Sequence, residues 1–241
     1  MKINTKILTF AHAGGKKDLP ENTLKAFRNA IKLKADYIEL DLRLAKDNEI
    51  IIFHDPDTFN ITSIPGLVKD KTLEELKRLD VGEGERIPTF QEVVELADHK
   101  IGLLLHIAAA NMEAQIIKIL REFDYIDMTI ASCMIHKYLL KLRALESKLK
   151  LAALENLYYK EFPTWDIRKK LVDRAVNNKF WAINPEYHFV DHQFVEYSHQ
   201  NDLKVFPWTV NVSEDINSLL QLGVDGIITD DIPLIKELII S

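Results

Sequence analysis

Two acidic side chains, Glu39 and Asp41, stand two residues apart in the apolar run YIELDLRLA at 37–45. Because side chains alternate across a β-strand, both carboxylates are predicted to point the same way. Two like charges that point together into a protein interior are costly unless a cation neutralises them. Carboxylate oxygens are the ligands that Mg²⁺ and Ca²⁺ prefer. The pair therefore predicts a divalent-metal site; the structural alternative is a set of salt bridges, with Arg43 on the same face.

Two histidines, His12 and His54, are predicted to lie near these carboxylates. His12 follows the first strand-like run and His54 follows a returning strand of a hairpin. Imidazole titrates close to neutral pH, so a histidine pair beside a metal could act as general acid and general base. Either histidine alone is more often a hydrogen-bonded structural residue. Their position at strand ends beside two carboxylates favours the catalytic interpretation.

Apolar strand-like runs alternate with amphipathic helical stretches along the chain. The predicted strands are 7–13, 37–45, 49–56, 100–108, 128–134, 150–156, 180–187, 204–210 and 225–230. The predicted helices are 20–35, with Pro20 in its first turn, 89–99, 111–123, 136–147, 164–179, 190–201, 213–222 and a last helix that ends at Ser241.

This rhythm gives about eight β-then-α units, the number that closes a TIM (β/α)8 barrel. We therefore predict one α/β domain of this class over residues 1–241, with 57–88 as a small inserted subdomain after the strand-two hairpin. A doubly wound open sheet is the structural alternative, but it usually has fewer strands and often a glycine-rich phosphate turn. In a barrel, active residues lie at the C-terminal ends of the strands.

Net charge, cysteine content and the N-terminal segment limit what the protein is expected to bind and where it is expected to be found. The 241-residue chain has a net charge of -6 with histidine neutral, which argues against broad binding to nucleic acids or anionic membranes. Its single cysteine, Cys133, excludes a disulfide within the chain. The N-terminal MKINTKILTFAHAGG has too short an apolar run for a signal peptide or a membrane span. We expect a cytoplasmic protein that takes a small-molecule substrate and has no stable membrane association.

An ordered set of short motifs runs through the chain. These are AHAGG at 11–15, PENT at 20–23, ELD at 39–41, HDP at 54–56, GERIPT at 84–89, PWTVN at 207–211 and GVDGIITDD at 223–231. With them the sequence resembles the glycerophosphodiester phosphodiesterase family. The resemblance covers nearly the whole chain, including the insertion after the hairpin.

The resemblance implies a TIM barrel that hydrolyses phosphodiesters such as glycerophosphocholine to an alcohol and glycerol 3-phosphate. It implies that His12 and His54 are the acid/base pair and that Glu39 and Asp41 are metal ligands, for Mg²⁺ or Ca²⁺. It also implies that Trp208 is the aromatic residue that lines the glycerol pocket.

Three motifs depart from the family pattern, and all three are pocket motifs. The family has His-Arg-Gly where this chain has His-Ala-Gly at 12–14, and Glu-x-Lys where this chain has His-Ile-Ala at 106–108. It has Ser-Ser-Phe where this chain has Ser-Cys-Met at 132–134. The resemblance implies that the arginine and the lysine missing here bind phosphate in the family. It also implies that the missing glutamate binds the metal. The first two changes therefore remove two positive charges and one negative charge.

Three hypotheses follow. In the first, the protein is a metal-dependent phosphodiesterase with reduced or altered activity, and His106 is the third ligand, which favours Zn²⁺, Mn²⁺ or Fe²⁺. In the second, a natural or engineered Cys133–His106 pair hydrolyses carboxylic esters without a metal, although alternation turns Cys133 away from the barrel axis if Ser132 points inward. In the third, the barrel binds a ligand without catalysis. Separately, Glu155 could reach the metal, but an isolated strand-end glutamate is more often hydrogen-bonded or solvated.

Overall fold

The structure, a computed structural model, describes residues 6–156 and 162–240. Within these ranges a single sheet of nine strands forms the centre of the molecule. The strands are β1 (Leu8–Ala11), β2 (Tyr37–Leu44), β3 (Ile50–Ile52), β4 (Gly102–Ile107), β5 (Thr129–Cys133), β6 (Lys150–Glu155), β7 (Ala182–Pro185), β8 (Lys204–Val205) and β9 (Gly226–Thr229). They follow the order β8-β7-β6-β5-β4-β2-β1-β9, all parallel, with β3 antiparallel to β2.

Backbone hydrogen bonds join the two ends of this order. The Asp225 amide donates to the Val205 carbonyl, and the Ile228 amide donates to the Pro207 carbonyl, each at 3.0 Å. The Val210 amide donates to the Ile228 carbonyl at 3.0 Å. The sheet therefore closes on itself, and the predicted TIM barrel is confirmed. Each strand is shorter than predicted, β3 and β8 by five residues each. In β8, Pro207 has no N–H to donate to a ladder.

Ten α-helices lie within the described residues. They are α1 (Leu24–Lys32), α2 (Phe59–Thr62), α3 (Leu73–Lys77), α4 (Phe90–Ala97), α5 (Glu113–Glu122), α6 (His136–Leu145), α7 (Trp165–Asn177), α8 (His192–Gln200), α9 (Ser213–Leu222) and α10 (Ile232–Ile240). The end of the last predicted helix, Ser241, lies outside the described residues. Among those residues, every helix is too short or too polar to span a bilayer.

The first helix begins later than predicted, at Leu24. Thr23 has extended backbone angles, and its side chain accepts a hydrogen bond from the Ala26 amide. This is the cap that satisfies a free N–H of the first turn. Pro20 lies in the preceding turn, where its carbonyl accepts a hydrogen bond from the Thr23 hydroxyl at 2.7 Å. The prediction that Pro20 occupies the first helical turn is therefore wrong.

The segment 57–88 carries short helices and packs on its own apolar cluster. Val68, Leu76 and Leu79 are buried in this cluster against Ile51 and Phe53. The cluster is separate from the main core between the barrel strands and the outer helices. The segment therefore covers the outside of the β2–β3 hairpin without entering the barrel.

Side-chain alternation divides β2 between two environments. Ile38, Leu40 and Leu42 are buried in the main core, whereas Glu39 and Asp41 line a cavity inside the barrel. An apolar plug closes the barrel below that cavity; it consists of Phe10, Leu104, Ile130, Ala152, Ala182, Phe206 and Ile228. The plug confines polar chemistry to the C-terminal ends of the strands, as expected for this fold.

Candidate active site

A cavity of about 230 Å³ opens at the C-terminal ends of the strands. Its walls are formed by His12, Glu39, Asp41, His54, Leu104, His106, Ser132, Met134, Leu154, Asn156, Asn184, Trp208 and Ile228. The two histidines, the two carboxylates and Trp208, all selected from the sequence, therefore face one space. His106 faces it too.

Glu39 and Asp41 are 7% and 2% exposed, so two carboxylates are buried side by side. The Ala13 amide donates to Glu39 at 2.9 Å, and the Asn22 side-chain amide donates to Asp41 at 2.8 Å. Burial, reinforced by the charge of Asp41, raises the pKa of Glu39. The two carboxylates thus carry more negative charge than these donors compensate.

His106 stands beside Asp41 because β4 pairs with β2 in a register that places the two residues opposite each other. Its Nδ1 lies 2.7 Å from Asp41 Oδ1. Burial opposes ionisation of Asp41, but the hydrogen bond from His106 and the charge of that ring outweigh it and hold the pKa of Asp41 well below its usual range. The same hydrogen bond raises the pKa of His106 against the effect of burial.

Glu39, Asp41 and His106 fit a divalent cation. Each offers one ligand atom, and these atoms lie within 4.8 Å of one another. A ring nitrogen of His106 is one of these ligand atoms, and a neutral imidazole has one nitrogen whose lone pair can bind an ion. A cation would also neutralise the buried carboxylate pair, whose shared burial raises the pKa of Glu39. The group could therefore hold a metal ion, as the sequence predicts for its two carboxylates.

His12 is fixed by a carboxylate on the far side of its ring. Its Nδ1 lies 2.7 Å from Asp230 Oδ1, and the Asn211 side-chain amide donates to the other oxygen of Asp230 at 2.6 Å. Burial lowers the pKa of His12, but the hydrogen bond to Asp230 and the charges of Glu39 and Asp230 raise it above its ordinary value. With Nδ1 engaged, Nε2 is the ring nitrogen left for a substrate.

His54 has the same kind of anchor. Its Nδ1 lies 2.8 Å from Asp55 Oδ1, and the Asn60 side-chain amide donates to Asp55 at 2.8 Å. Arg43 Nε donates to the His54 carbonyl at 2.7 Å, so the backbone of this histidine is held as well. Nδ1 of His12 and Nδ1 of His54 are therefore both engaged by a carboxylate, and within the described residues Nε2 of each ring is the nitrogen left to a ligand.

Trp208 forms a wall of the cavity, and its orientation is fixed. The indole Nε1 donates to the Asn184 carbonyl at 2.9 Å. Because the N–H is used in this bond, the ring offers its apolar surface to a ligand.

The structure does not form the predicted Cys133–His106 dyad. Cys133 is 2% exposed and belongs to the core outside the barrel, whereas its neighbour Ser132 lines the cavity. Its Sγ lies 3.2 Å from the Ile107 carbonyl and accepts from the Ile135 amide at 3.2 Å. Burial raises the pKa of the thiol to about 11. Strand alternation, which puts successive residues on opposite faces, is the physical reason.

Glu155 also lies away from the cavity. Its carboxylate forms ion pairs with Arg174 and, at 3.3 Å, with His136. The contacts hold Glu155 on the outer side of β6, where it is not among the residues that line the cavity.

The positions that lack the family's cations have small buried or half-buried side chains. Ala13 is 1% exposed and has a positive φ of 48°. Its backbone amide donates to Glu39, and its backbone carbonyl accepts from the Asn22 backbone amide at 2.8 Å. Ala108 follows β4 directly, and Arg43 donates to its carbonyl at 3.5 Å. Among the described residues, no lysine or arginine lines the cavity.

Several functional partners were missed from the sequence, although the motifs contain them. Asn22 belongs to PENT, Asp55 to HDP, Asn211 to PWTVN and Asp230 to the closing TDD. Three of them contact a cavity residue directly: Asn22 contacts Asp41, Asp55 contacts His54 and Asp230 contacts His12. Asn211 contacts Asp230. A polar residue inside a motif that already contains a catalytic candidate is the signal that could have identified them.

Cys133 is expected to be chemically inert. Because burial raises its pKa to about 11, the folded protein should react very slowly with 5,5′-dithiobis(2-nitrobenzoate) at pH 7.5, while protein unfolded in guanidinium reacts fully. Cys133→Ala should retain any ester or phosphodiester turnover. Fast labelling of the folded protein, or loss of turnover in this variant, would contradict the assignment.

Asp230 is expected to raise the pKa of His12. Asp230→Asn removes the charge and weakens the hydrogen bond, so the NMR titration of the His12 Cε1 proton in metal-free protein should move to lower pH. Asp173→Asn, a surface carboxylate paired with Lys169, is the control and should leave the titration unchanged. An unshifted His12 titration in Asp230→Asn would show that Asp230 does not set this pKa.

The comparisons with known proteins agree with this geometry. The model of the Glycerophosphoryl diester phosphodiesterase family matches residues 12–234. The glycerophosphodiester phosphodiesterase of Caldanaerobacter subterraneus subsp. tengcongensis is 36% identical over 242 residues, covering 94% of this chain and 95% of that protein.

Two solved structures share the barrel. The glycerophosphodiester phosphodiesterase of Thermotoga maritima superposes with a TM-score of 0.80 at 25% identity, covering 97% of this chain and 98% of that one. An Oleispira antarctica phosphodiesterase in complex with the product sn-glycerol-3-phosphate superposes with a TM-score of 0.86 at 24% identity, covering 97% of each chain, and this likeness shows the fold. From the family match and the identity to its relatives, the chain belongs to the glycerophosphoryl diester phosphodiesterase family of hydrolases.

Proposed function

We propose that the protein hydrolyses small glycerophosphodiesters to an alcohol and glycerol phosphate, with a divalent ion held by Glu39, Asp41 and His106. One observation carries the proposal: His12 and His54, each anchored through Nδ1 by a carboxylate, line the same cavity as this metal-fitting group. Family membership supports the same reaction class.

The two histidines divide the proton transfers. His12 is the acid, because its contacts with Asp230 and Glu39 raise its pKa and favour the protonated ring. It gives its proton to the leaving alkoxide as the phosphorus–oxygen bond breaks. His54 is the base that removes a proton from the attacking water as the new bond to phosphorus forms. Asp230 and Asp55 keep each ring in the orientation that presents Nε2.

The ion supplies neutralisation of phosphate charge when it is bound. Glu39 and Asp41 alone are the oxygen donors that suit Mg²⁺ or Ca²⁺. His106 adds a nitrogen donor, which shifts the preference of the set toward Zn²⁺, Mn²⁺ or Fe²⁺. We therefore expect a change of metal preference from the histidine at position 106, where the family has glutamate.

The lack of cations on the cavity wall reduces transition-state stabilisation. The alanines at positions 13 and 108 offer no charge to phosphate. Lys16 and Arg43 interact electrostatically with Asp41, but neither is among the residues that line the cavity. Each lost electrostatic contact of this kind costs about 2–4 kcal/mol, or about 10²–10³ in rate. We therefore propose a phosphodiesterase that is slower than relatives with a complete phosphate site.

Turnover of glycerophosphocholine is expected to require added metal. Activity of chelator-treated protein should be restored better by Mn²⁺ or Zn²⁺ than by Mg²⁺ or Ca²⁺, and Asp41→Asn should abolish the restoration because a buried ligand charge is lost. Glu74→Gln, on an exposed carboxylate of α3, is the control and should behave as the parent. Activity that survives chelator would contradict the metal role; no turnover with any ion would favour the ligand-binding hypothesis.

Restoring the family residues is expected to raise the rate. The triple variant Ala13→Arg, His106→Glu and Ala108→Lys returns both phosphate cations and the third carboxylate, so kcat/KM with Mg²⁺ should rise by about 10² or more. Ala110→Lys adds the same charge to the same loop away from the cavity wall, and it should give no gain. A triple variant that folds, binds Mg²⁺ and gains nothing would show that these positions do not limit the reaction.

A further inference from the structure

Arg43 is a cation beside the site that no carboxylate neutralises. It lies on β2, two residues after Asp41, and it is half-buried. Asp41 and Asp55 attract its charge, but each of these carboxylates is paired with a histidine. Within the described residues the hydrogen bonds of Arg43 all go to backbone carbonyls, and it forms no ion pair. Because arginine is not deprotonated in proteins, this charge is available to an anion.

The guanidinium of Arg43 also has N–H groups without an acceptor. Its Nε and Nη2 both donate to the His54 carbonyl, and its Nη1 donates to the Ala108 carbonyl at 3.5 Å. A guanidinium carries five N–H groups in a planar fork, so two of them have no acceptor among the described residues. They belong to the two terminal nitrogens, one to each, which is the arrangement that binds two oxygens of one phosphate.

Arg43 lies beside the position where the family's lysine is missing. Its Nη1 contacts the carbonyl of Ala108, which stands in place of that lysine. The Ala108 amide donates to the Leu42 carbonyl at 3.1 Å, so alternation keeps Ala108 on the same side of the strand as His106. The methyl group at this position carries no charge and does not compete with Arg43 for an anion.

Lys16 is a second cation that acts on Asp41, from the segment that follows β1. Its ammonium group lies 2.8 Å from a carboxylate oxygen of Glu21, so its charge is already compensated. Of these two cations, Arg43 is therefore the one without a carboxylate partner in the part of the chain that the structure describes.

We propose that Arg43 binds the phosphate of the substrate at the mouth of the cavity, in place of the cation that position 108 lacks. The proposal rests on the proposed function, because the phosphate belongs to the substrate of that reaction. Two positions along a strand separate Cα atoms by about 7 Å, a distance that an arginine side chain spans. One phosphate therefore reaches both the group around Asp41 and the guanidinium of Arg43.

Arg43 is a substrate-binding residue and transfers no proton. Its two available N–H groups recover part of the phosphate binding that an arginine at position 13 and a lysine at position 108 supply in the family. One cation in place of two is consistent with a phosphodiesterase that is slower than relatives with a complete phosphate site.

NMR titration with inorganic phosphate tests the contact on the unaltered protein. Phosphate is added to ¹⁵N-arginine-labelled protein at slightly acidic pH, first without metal and then with Mg²⁺. The Arg43 Nε–H signal should shift in a saturable way under at least one of these conditions. The signal of Arg78, an exposed arginine paired with Glu74, is the internal control and should not follow the same saturation curve.

Exchange of the cation between positions 43 and 108 tests the same contact by mutation. Arg43→Gln should weaken phosphate binding about tenfold or more, because the hydrogen bonds of a charged donor are lost. Ala108→Lys supplies a cation at the same place and should restore the binding. In Ala108→Lys protein, Arg43→Gln should therefore change the affinity by no more than about twofold. Arg78→Gln, which removes the same charge from an exposed site, is the matched control and should bind phosphate like the parent.

Support of the His54 backbone is the alternative role of Arg43. Glutamine and lysine side chains both donate hydrogen bonds to a carbonyl, but only lysine keeps the charge. If Arg43 is only a support, Arg43→Gln and Arg43→Lys should bind phosphate equally. As a phosphate ligand, Arg43→Lys should keep part of the affinity that Arg43→Gln loses. Lys16→Gln, which removes a compensated charge, should weaken binding less than Arg43→Gln does.

The outcomes distinguish this inference from the proposed reaction. A saturable Arg43 shift, with phosphate affinity that follows the charge at position 43, supports the contact even if no phosphodiester is turned over. An Arg43 signal that is unshifted under both conditions overturns it, even if metal-dependent hydrolysis is observed. Equal phosphate affinities of Arg43→Gln and Arg43→Lys, or an equal loss in Lys16→Gln, also overturn it.

Discussion

The burial of two carboxylates on one strand is the constraint on which the site depends. Glu39 and Asp41 share the inner face of β2 and are almost fully buried, and charges in such a place must be compensated. The chain supplies partial compensation through the Ala13 amide, the Asn22 side chain and the His106 ring. In the proposed function a divalent ion completes it, and the barrel strands keep the donors together.

The two histidines that we propose as the acid/base pair are held by a second set of carboxylates. Asp230 and Asp55 engage Nδ1 of His12 and His54, which fixes the tautomer and presents Nε2 to the cavity. These anchors are present even though the family's phosphate-binding cations are not. The protein therefore has carboxylate supports for both histidines beside a cavity whose wall, within the described residues, has no lysine or arginine.

Local patterns in the sequence were enough to predict the barrel and part of the candidate site. Alternation along 37–45 predicted that Glu39 and Asp41 share a face, and the same rule raised the doubt about Cys133 that the structure confirms. Contacts between distant segments could not be predicted this way: Asp230 reaches His12 across 218 positions of the chain. The start of α1 could not be predicted from local patterns either, because the capping bond of Thr23 outweighs the preference of Pro20 for a first helical turn.

Anomalous diffraction from crystals soaked in Zn²⁺ tests the central claim most directly. The account predicts one strong peak in the cavity, about 2.0–2.2 Å from a carboxylate oxygen of Glu39, an oxygen of Asp41 and a ring nitrogen of His106. The same soak of Asp41→Asn crystals should show no such peak. A parent crystal with no ion between these residues, or with an ion that His106 does not contact, would contradict it.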